Sequence, residues 1–326
     1  MSAVDDRSIH LVSCIGVDTE FAHLPHFLDH YLALGVRREN VHLILNTDDA
    51  GSPNLARARA LLESRHLPAP DVWIGPYTSD AMWARRRDLQ TERVPADAWV
   101  VSADVDEFHE YPAPLGEIIA HCEALGVNCV QGVFIDRIAA DGRLVDVDPD
   151  QPIGQTFALQ GDVQCTVGRT GRHHDWFGTI KVMLLKAELL PSRGGHHPQN
   201  GDVPVRYLFD RHLARFPAIG RARFRFFIPF RVHHFKWTAS MAQTLRRRLA
   251  TPGVSAAGAE DGRKLVDYVE AEGGIRLADI PLRSRHRVDP LGWRRRVRML
   301  RLMASALARG DDARYIARRI RQRLST

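Results

Sequence analysis

Cysteine is scarce in this chain of 326 residues: Cys14, Cys122, Cys129 and Cys165 are the only four. None forms a CxxC pair, which argues against a disulfide framework or a closed zinc site and fits a reducing compartment. Long apolar runs are also missing. No window approaches the ~18–20 apolar residues of a membrane span, and the acidic start Asp5-Asp6-Arg7 has no apolar signal segment. The expected location is the cytoplasm, with any membrane contact peripheral and on the inner face. Phosphate-loop signatures are absent too. No GxGxxG or GxxxxGK[ST] follows an apolar run, which disfavours dinucleotide dehydrogenases and P-loop NTPases, and no GxSxG elbow occurs. His23, His26 and His30 share a helical face, but no HExxH accompanies them, so they read as a partly solvated surface rather than a zinc site. Lysine is rare as well: of 45 cations only Lys181, Lys186, Lys236 and Lys264 are lysine.

What remains is an ordinary globular composition, 44% apolar and 26% charged, long enough for one large domain or a domain with an extension. Its net charge of +6 is unevenly spread. Residues 241–326 hold 20 basic and 9 acidic side chains, so the preceding 240 residues are net negative.

Short apolar runs alternate with helical patterns over the first 136 residues, the mark of βα units and a mostly parallel sheet. Strands are expected at 9–15, 41–45, 72–74, 99–103 and 129–135. Helices are expected at 24–34, 53–66, 79–93 and 115–125. Asp141-Gly142 is a hairpin signal. Residues 150–230 are irregular, with strand-like runs at 180–185 and 224–230. Helices follow at 239–249, 262–272, 292–308 and 313–324.

The sharpest chemical feature is Asp104-Val105-Asp106-Glu107 at the carboxyl end of an apolar strand, where open α/β sheets bind ligands. Two carboxylates at that spacing suit one hard divalent cation, Mn²⁺ or Mg²⁺, which can also bridge substrate phosphates. Three further stretches give this feature context. Glu20 precedes Phe21-Ala22-His23-Leu24-Pro25-His26-Phe27-Leu28-Asp29-His30-Tyr31-Leu32-Ala33-Leu34-Gly35-Val36. Asn46-Thr47-Asp48-Asp49 follows the second strand. Val232-His233-His234-Phe235-Lys236-Trp237 comes late.

Together, in order and spacing, these four stretches resemble the nucleotide-sugar glycosyltransferases of the GT-A fold, in the bacterial branch related to families 2 and 92. The likeness covers roughly residues 8–280. It implies an α/β fold: a GT-A-like, Rossmann-type mixed sheet flanked by helices, with a C-terminal helical extension. Residues 1–240 would form the catalytic domain, its donor half at about 8–136 and its acceptor half at about 137–240. Residues 241–326 would form the Arg-rich extension. It also implies a hexosyl transfer, inverting, from a nucleoside-diphosphate sugar to a hydroxyl of a glycan or lipid-linked acceptor.

On that resemblance Asp104 and Asp106 hold the metal, with His234 as third ligand. Adjacent strand residues point to opposite faces, so only one of His233 and His234 can enter the site. Asp48 and Asp49 would lie beside the donor nucleotide. Lys181, Lys236 and the arginines of 221–231 compete as the diphosphate clamp. A Ser does not directly follow Lys236, which departs from the usual late motif. The general base would be Asp175 or Asp162. The basic tail, 291–326, reads either as a helical pair packed on the domain or as a contact for an anionic membrane surface; nucleic acid fits poorly, because no aromatic platform interleaves its arginines. Two rival readings are a degenerate, non-catalytic binding protein tethered by the tail, and a sugar nucleotidyltransferase. The latter would show a Gly-rich basic loop where Ser13-Cys14-Ile15-Gly16-Val17-Asp18 stands.

Overall fold

A computed structural model describes residues 9–168, 176–199, 201–250, 256–284 and 291–310. Its first half is built from β1 (Ile9–Gly16), α1 (Val17–Glu20), α2 (Leu24–Ala33), β2 (Val41–Thr47), α3 (Pro53–Ser64), β3 (Asp71–Ile74), α4 (Ser79–Arg93) and β4 (Trp99–Ser102). The four strands are mutually parallel in the order β3-β2-β1-β4. β1 and β4 are covered on both faces, which is why they read as unbroken apolar runs. The helices start where the residue types dictate. Ser52 caps α3, its Oγ accepting from the Leu55 amide at 3.4 Å with Pro53 next in line, and Thr78 Oγ1 caps α4.

The second half adds β5 (Glu107–Glu110), α5 (Leu115–Ala124), β6 (Cys129–Ile138), α6 (Ile153–Thr156), β7 (Leu159–Gly161), β8 (Ile180–Lys186), α7 (Ala222–Phe227) and β9 (Arg231–His234). The sheet runs β3-β2-β1-β4-β8-β6-β9-β5, with β7 pairing on β6. β8 is antiparallel to both β4 and β6, and β5 is antiparallel to β9, so the sheet is mixed. The α/β class and the helix-flanked mixed sheet expected from the sequence are those observed.

Two local expectations fail for identifiable reasons. Asp141-Gly142 does turn the chain, but no hairpin forms. Gly142 (φ +78°) instead meets the segment around Ile275, whose amide donates to the Gly142 carbonyl at 2.7 Å. A Cβ on Gly142 would lie 2.1 Å from the Ile275 carbonyl oxygen, so only glycine fits. The 224–230 run is not a strand at its start. It is α7, which turns the buried Arg225 inward to donate to Thr179 Oγ1 (2.9 Å) and the Phe134 carbonyl (3.1 Å).

The remaining helices are α8 (Met241–Ala250), α9 (Ala256–Glu272) and α10 (Trp293–Ala308). Leu245, Leu265, Val266 and Val269 of α8 and α9 form a core with Ile138, Val163 and Trp237. The expected helix at 313–324 lies outside the described residues. α10 docks Val297, Leu300 and Ala304 into the main core. It is held by Arg296 donating to the Phe227 carbonyl and by Arg294–Glu117 and Arg301–Asp210 ion pairs. The apolar stripe of α10 is thus covered by the domain, and its exposed face carries Arg294, Arg295 and Arg298 together with Leu302. Among the described residues no helix is long and apolar enough to cross a membrane.

Because Leu300 is fully buried, Leu300→Ala should cost about 2–5 kcal/mol of stability, as core Leu truncations do. Urea denaturation of the full chain measures it. A loss below about 0.5 kcal/mol, the range of surface substitutions, would mean that α10 is not part of the core.

Candidate functional site

β4 ends at Ser102, and Asp104–Glu107 make a tight turn into β5. The Glu107 amide donates to the Asp104 carbonyl (3.0 Å), and the Asp104 amide donates back to Glu107 Oε2 (3.1 Å). The turn therefore holds three carboxylates at the carboxyl ends of β1 and β4. Strand register supplies the rest. Glu107 of β5 lies opposite His234 of β9, and His234 lies opposite Asp136 of β6. Directly paired residues share a face, so Glu107, His234 and Asp136 form one row across three strands. His233 points the other way, 2.8 Å from Glu110.

Two buried cations sit against this turn. Arg86 of α4 is 2.5 Å from Asp104 Oδ1 and also donates to the carbonyls of Val12 and Ala103 and to Ser102 Oγ. Lys181 of β8 is 2.7 Å from Asp104 Oδ2 and 2.8 Å from Glu107 Oε1. Burial opposes the charge on Asp104, but Lys181 and Arg86 outweigh it and hold the carboxyl below its ordinary value. Burial and the Asp104 charge push Glu107 up to about 7. Burial would depress His234, yet the flanking Asp106 and Asp136 carboxylates lift it to about 9. Glu20 joins the same site. Burial, then the Asp106 charge, pushes it up to about 8 even though its Oε2 accepts from the Gly16 amide at 3.0 Å.

The ligand atoms of Asp106, Glu107 and His234 lie within 4.8 Å of one another. Two carboxylates and an imidazole are a fitting donor set for Mn²⁺, and the carboxylates also suit Mg²⁺. His234 Nε2 is 3.4 Å from Asp106 Oδ2, while Nδ1 is 3.5 Å from Asp136 Oδ1. Both Nδ1 and Asp136 Oδ1 are buried without a hydrogen-bond partner. A small approach would let Nδ1–H donate to Asp136 and leave the Nε2 lone pair for a cation, the usual support for a metal-binding histidine. Of the expected metal set, Asp106 and His234 come together. Asp104 instead has each oxygen against a cation, and Glu107 takes its place in the cluster.

The other expected residues are dispersed. Asp48 and Asp49 are exposed on the loop after β2. Asp49 Oδ1 closes its own turn by accepting from the Gly51 amide. Asp18 braces that loop, accepting from Thr47 Oγ1 (2.6 Å) and Ser52 Oγ (2.5 Å). Lys236 is half-buried with its ammonium 5.8 Å from the Trp237 ring centre. Asp162 is buried, 3.3 Å from Arg225 Nε, so it faces a cation rather than an open cleft. Asp175 lies outside the described residues. Sequence reasoning missed Arg86, Asp136 and the ionisation of Glu20. Arg86 did leave a signal: it sits on the stripe of α4 that also carries Met82, Trp83, Leu89 and Gln90, all buried. A charge on an apolar face needs an opposite charge inside.

Glu20 sets a pH dependence. Its ordinary value is 4.5 and its folded value about 8, so between these the folded state holds a proton that the unfolded state releases. Stability conferred by that proton falls as pH rises through this window. In EDTA-treated protein the urea midpoint should drop from pH 5 to pH 8, and Glu20→Gln should flatten the drop. An equally steep drop in the variant would assign the titration elsewhere.

No family model matches the chain, and no curated protein matches it. Among solved structures it is similar to S. aureus TarS 1–349, with 11% identity and a TM-score of 0.29 over 88% of this chain and 95% of that one.

Proposed function

We propose that the chain is a metal-dependent glycosyltransferase. It moves a hexosyl group, with inversion, from a nucleoside-diphosphate sugar to a hydroxyl of a glycan or lipid-linked acceptor. The observation that carries this reading is the Asp106–Glu107–His234 cluster on a strand-end turn, backed by two buried cations. In this reading Asp106, Glu107 and His234 hold Mn²⁺ or Mg²⁺, and the ion, when bound, neutralises charge on the leaving diphosphate. Asp104, locked by Arg86 and Lys181 yet with its side chain one-third exposed, turns a fixed edge toward the donor. Asp48 and Asp49 accept from base or ribose at the mouth. Tyr77 is exposed and stacks on Trp73 with ring centres 5.9 Å apart, which offers a flat face beside them. Lys236 is a candidate for the diphosphate clamp, since Lys181 is taken up by Asp104 and Glu107. The base for the acceptor hydroxyl is Asp175 or Asp162, the latter only when its pair with Arg225 opens.

The capture of Asp104 by two cations favours one rival, a binding protein that holds a nucleotide without turning it over. Two measurements separate them. Calorimetric titration with UDP and GDP should show binding that depends on Mn²⁺, weakened at least tenfold by Asp106→Ala and by His234→Ala. Unchanged binding in both variants would refute the metal site. Mn²⁺-stimulated release of nucleoside diphosphate from one member of a sugar-nucleotide panel is the expected turnover; nucleotide binding with no turnover of any donor would leave the binding-protein reading.

A further inference from the structure

The transferase reading leaves unused a cavity at the far end of β9. Three residues of strand, roughly 10 Å at ~3.3 Å per residue, separate His234 from Arg231, where β9 starts. The cavity encloses about 650 Å³ beside α7 and the 282–284 segment, within the range of small-molecule sites, ~300–1,000 Å³. Phe226, Phe227 and Leu282 line it with apolar surface, and Arg221, Arg223 and Arg283 line it with charge. Leu282 is 44% exposed. Among the described residues it is one of five large apolar side chains left exposed.

Arg221 and Arg223 are exposed and meet no carboxylate within salt-bridge distance among the described residues. The nearby acid, Glu110, is engaged by Arg231 at 2.5 Å and His233 at 2.8 Å, and Arg283 also acts on its charge. Arg283 reaches Gln160 Oε1 at 2.5 Å. The basic character continues onto α10, which begins two residues after the lining residue Leu291 and exposes Arg295 and Arg298. Guanidinium groups match phosphate oxygens bidentately, and the Arg221–Arg223 pair, with Arg283 beside it, favours a dianion over a carboxylate. An aromatic and aliphatic wall beside that rim suits an alkyl chain, which would remove it from water.

We propose that this cavity binds a lipid phosphate, with the head on Arg221, Arg223 and Arg283 and the first part of the chain along Phe226, Phe227 and Leu282. The inference goes beyond the transfer reaction and does not rest on it, since none of these residues belongs to the Asp106 cluster.

Dodecyl phosphate below its micellar concentration, titrated calorimetrically into the full chain, tests it. Saturable binding of one molecule is expected, at least tenfold tighter than either inorganic phosphate or dodecanol. The Arg221→Glu/Arg223→Glu double variant should weaken it tenfold or more. Both side chains are exposed, so the variant should melt as the wild type does and keep Mn²⁺-dependent nucleotide binding. Leu282→Asp should weaken dodecyl phosphate while sparing inorganic phosphate. The proposal is overturned if dodecyl phosphate does not bind, or if the double variant binds it as tightly as wild type. It is also overturned if inorganic phosphate alone, or dodecanol alone, binds equally well.

Discussion

The bridging of Asp104 by Arg86 and Lys181 is the interaction on which the site depends. Taking a guanidinium and an ammonium out of water costs several kcal/mol each unless opposite charge and hydrogen bonds replace the solvent. Here they do. Arg86 reaches the Val12 and Ala103 carbonyls and Ser102 Oγ as well as Asp104, and Lys181 is shared between Asp104 and Glu107. That requirement explains features that look unrelated in sequence. α4 carries a polar residue on its buried stripe because a cation must reach the strand-end turn from that side. Gly195 (φ +65°) has no side chain because a Cβ there would lie 2.9 Å from Lys181 Cε and 2.7 Å from the Trp83 ring. The cations in turn allow three carboxylates to crowd one four-residue turn.

The parallel half of the sheet was legible in sequence because β1 and β4 are covered on both faces, so strand length and apolar content coincide. α4 was legible to the residue, 79–93, since Thr78 and Val94 bound it clearly. What local pattern cannot carry is pairing. Asp141-Gly142 has turn chemistry, but whether a turn becomes a hairpin depends on what the outgoing chain meets, and Gly142 meets Ile275. In the 224–230 run the alternation of Phe and Arg mimics a half-buried strand. The structure resolves it as a helix because Arg225 has internal acceptors that the sequence does not reveal.

The same distinction governs the site. The Asp104-x-Asp106 turn and His234 were visible as residue types at suggestive positions. Which carboxylates face a cation-sized space was not, because it follows from Lys181 and Arg86 approaching Asp104 from two other elements. The register that aligns Glu107, His234 and Asp136 is a property of β5, β9 and β6 together. α10 shows the converse. Its apolar stripe called for a cover, and Val297, Leu300 and Ala304 find one in the main core.

That register has a consequence for how the molecule comes into being. Glu107 and His234 are separated by more than a hundred residues of chain, and among the described residues β5, an edge strand, pairs only with β9. Closing so long a loop belongs to the slow, high-contact-order part of folding. A ribosome that has not yet released β9 carries a nascent chain whose acidic turn lacks its imidazole. The row Glu107–His234–Asp136 is therefore completed only once β9 has joined the sheet, and its completion reports that the sheet has closed.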